Sequence, residues 1–211
     1  MSVPDALLLI STACPHCPTA LAALSDLVKQ GIVGKLEVVN LEAHPEVAQT
    51  LGVRSVPWVK IGVIELAGLR SKAELTEWAT KAGTEAGMAD YFHLLLKEGQ
   101  MARVLTLLHA DSRQLAAVLP IVGNVDASLN VRLGAGVLLE EFAQSEALLA
   151  LLPRLGELSA HPDARIRADA SHYLGLTGAM SARIWLEARL NDDDADVREI
   201  AAESLIALAS G

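Results

Sequence analysis

The chain has 211 residues, 52% of them hydrophobic but only 3% aromatic, and a formal net charge of −9 at pH 7. That length suits one large or two small domains, with cores built from Ala, Leu and Val. No apolar run approaches the ~20 residues that a membrane span needs, so a membrane partner is not expected.

Residues 1–5 lack the basic segment of a secretory signal, and the next run, Ala6-Leu7-Leu8-Leu9-Ile10, is too short for a signal's apolar core. It reads instead as a buried first strand. A cytoplasmic location follows by default, and there a cysteine pair is more often catalytic than a structural staple.

The chain's two cysteines sit together in Cys14-Pro15-His16-Cys17. Pro15 opens an amphipathic helix over 19–29, with Leu21, Leu24, Leu27 and Val28 at helical spacing. A strand feeding a helix through Cys-x-x-Cys sets Cys14 at a helix N-terminus. Unpaired N–H groups and the macrodipole there favour a thiolate over a thiol. Cys17, one turn on and on the same face, is close enough to close a disulfide with Cys14. A catalytic role follows for both: Cys14 attacks a substrate disulfide, and Cys17 resolves the mixed disulfide. Pro15 and His16 tune the pair, His16 favouring the thiolate when it is protonated or donates a hydrogen bond. Cysteines so placed have pKa values of roughly 3.5–7.5, against ~8.5 when free. Such an exchange calls for no cofactor and no metal. A four-ligand zinc site would need two more ligands, from histidines such as His16 and His44 or from a second chain. The metal alternative is therefore a zinc-bridged dimer.

Beyond Gly31 and Gly34, residues 36–41 read as a second strand, parallel to the first through a right-handed crossover. A short helix over 44–50 ends at Gly52. Val56-Pro57 leads into a strand over 58–61, Gly62 turns the chain, and 63–66 returns antiparallel. A last helix, 71–81, has Leu75 and Trp78 facing inward. The order is β-α-β-α-β-β-α over residues 1–82, followed by a linker at 83–87.

Residues 88–211 carry no strand signal and show a recurring unit instead. Val131-Arg132 with Ala135 and Leu139 returns as Ile166-Arg167 with Ala170 and Leu174, then as Val197-Arg198 with Ala201 and Leu205. The periods are 35 and 31 residues. Ahead of each lies a helix-start residue, Ser128, Asp163 or Asp194. Another apolar helix precedes each unit, over 114–122, 147–158 and 182–190, and a more degenerate pair, 89–97 and 101–109, caps the stack. Such stacks leave extended faces that bind proteins. His93, His109, His161 and His172 lack paired ligand spacing and read as structural. Asp192-Asp193-Asp194 with Asp196 lacks the Gly and terminal Glu of a calcium loop and reads as a helix start.

Charge is uneven. Residues 1–82 hold seven Lys and Arg against eight Asp and Glu; residues 83–211 hold ten against eighteen. The acidic second half argues against nucleic acid or anionic lipid as its partner, since like charges raise the cost of approach. It suits a basic protein partner or simply a solvated helix surface.

Ser11-Thr12-Ala13-Cys14-Pro15-His16-Cys17, Val56-Pro57, Lys60-Ile61-Gly62 and Ala67-Gly68, in this strand order, resemble the thioredoxin fold in its compact glutaredoxin-like form. The Asp…Val-Arg…Ala…Leu units resemble HEAT-type repeats. The fold class implied is an α/β thioredoxin-like domain followed by an all-α HEAT-like solenoid. The first resemblance implies a cis Pro57 packed against the sulfurs and a substrate peptide pairing at Val56, with Trp58 lining the groove or serving the core. It implies protein disulfides or dithiols as substrates and an external reductase or oxidant that resets the pair; the second implies a protein partner on the repeats. Glutathione-using glutaredoxins carry a basic residue where this chain has Ser11, and an acid after the glycine pair, where it has Gly68-Leu69-Arg70-Ser71. Thioredoxins carry a tryptophan and a buried acid where it has Ala13 and Leu8. Pro-His resembles the periplasmic enzymes that make disulfides, whereas the cytoplasm favours reduction, the direction expected here. The competing class is a binding module in which the cysteine domain is a redox-sensitive clamp without turnover.

Overall fold

The computed structural model describes residues 3–210. Contacts divide the chain into two compact units, 1–88 and 89–211. Gly83 turns the chain at positive φ, and a helix begins at Glu85 and runs to Lys97.

The first unit is a four-stranded sheet with three helices. Strands β1 (Ala6–Ile10), β2 (Leu36–Asn40), β3 (Trp58–Ile61) and β4 (Ile64–Ala67) lie in the order β2-β1-β3-β4. β1 pairs parallel with β2, Ile10 opposite Asn40, and antiparallel with β3, Leu9 opposite Trp58. As a central strand β1 must be apolar, and Leu8 and Leu9 are wholly buried. β3 and β4 form a hairpin whose turn requires Gly62 at φ 59°. Lys60 faces Glu65 across it, 3.8 Å apart.

Helix α1 (Cys17–Lys29) packs on β1, β2 and α3 (Lys72–Lys81), burying Ala20, Ala23, Leu24 and Leu27. It starts two residues earlier than the apolar spacing suggests, because Pro18, not Pro15, is the proline of its first turn. Helix α2 (Pro45–Leu51) ends at Gly52. Ser71 and Glu74 form a reciprocal capping box at the start of α3. Leu75 is buried as expected; the other buried position is Ala79, with Trp78 only half-buried.

The second unit is helical throughout. After α4 (Glu85–Lys97) and α5 (Met101–Ala110) come three hairpins whose second helices are α7 (Leu129–Glu141), α10 (Ala164–Leu176) and α12 (Ala195–Ser210). The first helix of each hairpin is broken. A 3-10 segment, Ser112–Val118, precedes α6 (Leu119–Val122); α8 (Glu146–Leu149) and α9 (Leu152–Leu158) are separate; a 3-10 turn leads into α11 (Arg183–Arg189). Pro120 and Pro153 account for two breaks: each lacks an N–H and is tolerated only in a helix's first turn, so α6 and α9 restart there.

The repeated positions are core positions. Val131, Ala135, Leu139, Ile166, Ala170, Leu174, Val197 and Ala201 are all essentially buried. Leu205 is half-buried, because α12 approaches α10 through Ser204 against Gly175, and Ser204 and Leu208 take the buried places.

Two of the repeated arginines, Arg132 and Arg167, tie successive hairpins together, and Arg198 holds the loop of its own. Arg132 on α7 donates to Asp169 on α10 at 2.7 Å. Arg167 on α10 donates twice to Asp192, at 2.9 and 2.7 Å, and to the carbonyls of His161 and Pro162. Arg198 on α12 takes the equivalent carbonyls, Asp192 and Asp193. Asp163 and Asp194 cap α10 and α12 with their side chains, whereas Ser128 makes no such bond at α7. The acidic run is thus a helix start with one member, Asp192, bound to Arg167. Among the described residues no cluster of His, Cys, Asp or Glu is placed to hold a metal ion, and no helix is long and apolar enough to cross a membrane.

The Arg167 guanidinium holds the Asp192 carboxyl below the usual carboxylate range. Its folded value is depressed, so its stabilisation is present above about pH 4 and is lost as pH falls through the folded value. Asp192→Ala also leaves Arg167, whose side chain is 14% exposed, without its carboxylate. Chemical denaturation of this variant should show a loss of about 2 kcal/mol at neutral pH, and a smaller loss near pH 2.

Candidate active site

The six residues Ser11–His16 join the C-terminal end of β1 to the first turn of α1. Cys14 is half-buried, Pro15 and His16 are exposed, and Cys17, the first helical residue, is 3% exposed. The two sulfurs lie at disulfide distance, their Cα atoms 5.5 Å apart. The Cys17 N–H, one of the donors a helix start leaves without a partner, points at the Cys14 sulfur, 3.1 Å away. His16 is the cap residue of α1 but makes no side-chain cap bond. The sulfur of Cys14 therefore occupies the place that a Ser or Asp oxygen takes at other helix starts. An amide aimed at sulfur, reinforced by the helix dipole, stabilises negative charge on that sulfur whenever the bond is open.

The second part comes from the head of β3. The Val56–Pro57 peptide bond is cis. Pro57 is buried, Val56 is half-buried, and the Pro57 carbonyl accepts from the Gly68 amide at 2.9 Å. Gly68 follows β4 at φ 79°, a conformation that favours glycine. Leu9 pairs with Trp58; carried one and two residues further, that register sets Pro57 across from Ile10 and Val56 across from Ser11. Trp58 is 6% exposed within β3, a core residue with little surface for a ligand.

A third part was not singled out from the sequence. The loop after β2 brings Glu42 to the sulfur loop, where its carboxylate accepts the Thr12 amide at 2.9 Å. Asn40 donates to the Thr12 hydroxyl at 3.2 Å and accepts the Glu42 amide at 2.9 Å. Hydrogen bonds from the Thr12 hydroxyl, then the Thr12 and Ala13 amides, hold the Glu42 carboxyl below the usual range. The available signal was the parallel pairing of the two strands, which brings the residues just beyond both strand ends together.

A family model described as a thioredoxin domain matches residues 6–80, and one described as HEAT repeats matches residues 103–206. The chain is a thioredoxin-like domain followed by HEAT-like helical repeats. No curated protein matches it. The boundaries of the first match enclose the cysteine pair, Pro57 and all four strands, and those of the second enclose the three repeated arginines, Arg132, Arg167 and Arg198.

The unequal burial of the two sulfurs has a direct consequence. After reduction of the full chain, iodoacetamide should label Cys14 at least tenfold faster than Cys17, as read by peptide mass mapping over time (roughly the contrast expected between an accessible thiolate and a buried thiol). Equal labelling would contradict this geometry.

Proposed function

We propose that the chain is a thiol–disulfide oxidoreductase that works through Cys14 and Cys17 and engages a protein partner through its helical repeats. The observation that carries this reading is the Cys17 amide aimed at the Cys14 sulfur at the start of α1, with the two sulfurs within bonding distance. The thioredoxin-like fold of residues 6–80 supports it.

In the reduced protein the Cys14 thiolate attacks one sulfur of a substrate disulfide. The substrate S–S bond breaks, a mixed disulfide forms, and the released substrate thiolate takes a proton. Cys17 then loses its proton and attacks the Cys14 sulfur, expelling the second substrate sulfur as a thiolate. Two electrons have passed to the substrate, and the Cys14–Cys17 disulfide remains; an external dithiol reductant returns it to the starting state. His16, exposed beside Cys14, favours the thiolate. Val56 and Pro57 offer the edge along which a substrate peptide lies, with Trp58 behind them. The working direction is reduction in the cytoplasm, where a glutathione-poised pool keeps such a dithiol reduced.

The repeats supply recognition. HEAT repeats support a protein–protein role. Here the arginines of the repeats are engaged with the unit's own carboxylates and carbonyls, so the surplus charge presented outward is negative and suits a basic partner.

Insulin-disulfide reduction by the full chain tests the reading. Wild type should turn over with a thiol donor, Cys14→Ser should abolish turnover, and Cys17→Ser should accumulate mixed disulfides with its substrate. Unreactive thiols and no turnover at any pH would leave the redox-sensitive binding module as the better reading.

A further inference from the structure

We propose that Glu42 is a positioning residue for the redox loop: its carboxylate, set by Asn40, fixes the Thr12 backbone and so holds the Cys14 sulfur within closing distance of Cys17. The proposal rests on the exchange chemistry assigned to the pair, and concerns how the pair is kept poised.

The loop Ser11–His16 is tied at one end by β1 and at the other by α1. Between these ties its own backbone contributes one long bond, from the Cys14 amide to the Ser11 carbonyl at 3.3 Å. Beyond the Cys17 amide on the Cys14 sulfur, the remaining restraint is tertiary. Glu42 and Asn40 reach Thr12 from 30 and 28 residues away in sequence. The two groups they engage, the Thr12 amide that donates to Glu42 and the Thr12 hydroxyl that accepts from Asn40, sit two residues before Cys14. Asn40 is itself fixed: it ends β2, and its carbonyl accepts the amides of Ala43 and His44, which shapes the turn that carries Glu42. A carboxylate held by charge-assisted hydrogen bonds is a stronger tie than a neutral acceptor. All of these groups are exposed, so they add little to the core; their effect is local order in the loop.

Local order of this kind governs how readily two thiols close. A disulfide forms intramolecularly in proportion to the effective concentration of one sulfur at the other, and that concentration drops when a loop end is released. Loss of the Glu42 tie should therefore move the pair toward the open dithiol. It should also slow attack by Cys14, whose sulfur no longer sits fixed above the Cys17 amide.

The test compares Glu42→Ala with Glu42→Gln in the full chain. Gln keeps an oxygen that can accept the Thr12 amide but removes the charge. The first readout is the equilibrium of the Cys14–Cys17 pair with a glutathione buffer. Glu42→Ala should shift it about tenfold toward the dithiol, which corresponds to ~30 mV for this two-electron couple. Glu42→Gln should stay within about threefold of wild type, the residue of swapping a charged for a neutral acceptor. Thermal unfolding of both should match wild type. An unshifted Glu42→Ala would overturn the proposal. So would equal shifts in both variants, which would make the charge and not the restraint responsible. A shift that appears only alongside a lower unfolding temperature in Glu42→Ala would also overturn it, as a plain stability effect. Because the glutathione equilibrium is read without any protein substrate, it remains informative if insulin turnover is absent. Failure of the Glu42 tie and failure of the oxidoreductase reading are thus separate outcomes.

Discussion

The short span between β1 and α1 is the constraint from which the first unit follows. Six residues must carry the chain from a buried strand to a helix start and leave Cys14 facing the Cys17 amide. That is possible because β1 lies in the middle of the sheet, held by β2 on one side and β3 on the other. Parallel pairing with β2 puts the C-terminal ends of both strands at one edge, and antiparallel pairing with β3 puts the start of that strand there too. Three loops then converge: the cysteines after β1, Glu42 after β2 and Pro57 before β3. This is the crevice beyond strand ends where open α/β sheets place their ligands.

In the second unit the corresponding constraint is electrostatic. Stacked hairpins bring loop carbonyls and carboxylates together at each junction, and these groups need donors. The repeated arginine meets that need twice, through carbonyls of its own unit's loop and a carboxylate of the next, with Arg167 doing both. Because the Asp192 side chain is 4% exposed, its pairing stabilises the stack without adding to the surface charge, whereas Glu199 and Glu203 on α12 stay exposed. An acidic exterior thus coexists with part-buried ion pairs between hairpins.

Much of the first unit was legible because its signals are local. Ala6–Ile10 is apolar because both its edges are paired, and Gly62 marks a turn that needs positive φ. In the second unit the Val-Arg…Ala…Leu spacing located the buried stripe of α7 and α10, where period and burial coincide. Less legible were features decided by a single missing donor or by contacts across the sheet. Apolar spacing read the proline-broken first helices as continuous, since periodicity does not register a lost N–H at Pro120 or Pro153. Ser128 has a capping residue's chemistry but makes no cap, because chemistry alone does not fix side-chain direction. Asn40 ends β2 and Glu42 lies just beyond it, where their partner 28 to 30 residues upstream is visible only once the parallel register is set.

The apolar interior of β1 bears on the proposed chemistry as well. Resolution requires Cys17 to lose a proton, yet Cys17 is buried and β1 beneath it, Ala6–Ile10, contains no ionisable side chain, with Leu8 wholly buried. No carboxylate on that strand can act as the base. The base best matched in time and place is then the substrate thiolate expelled in the first step, which is generated beside Cys14 when the Cys17 proton must leave. Such coupling ties resolution to the pKa of the leaving thiol: a more basic leaving thiolate departs more slowly but takes the proton more readily. The division of labour follows from burial. In the proposed exchange, the helix start and the loop ties prepare Cys14 for attack, and the substrate's own sulfur completes the activation of Cys17.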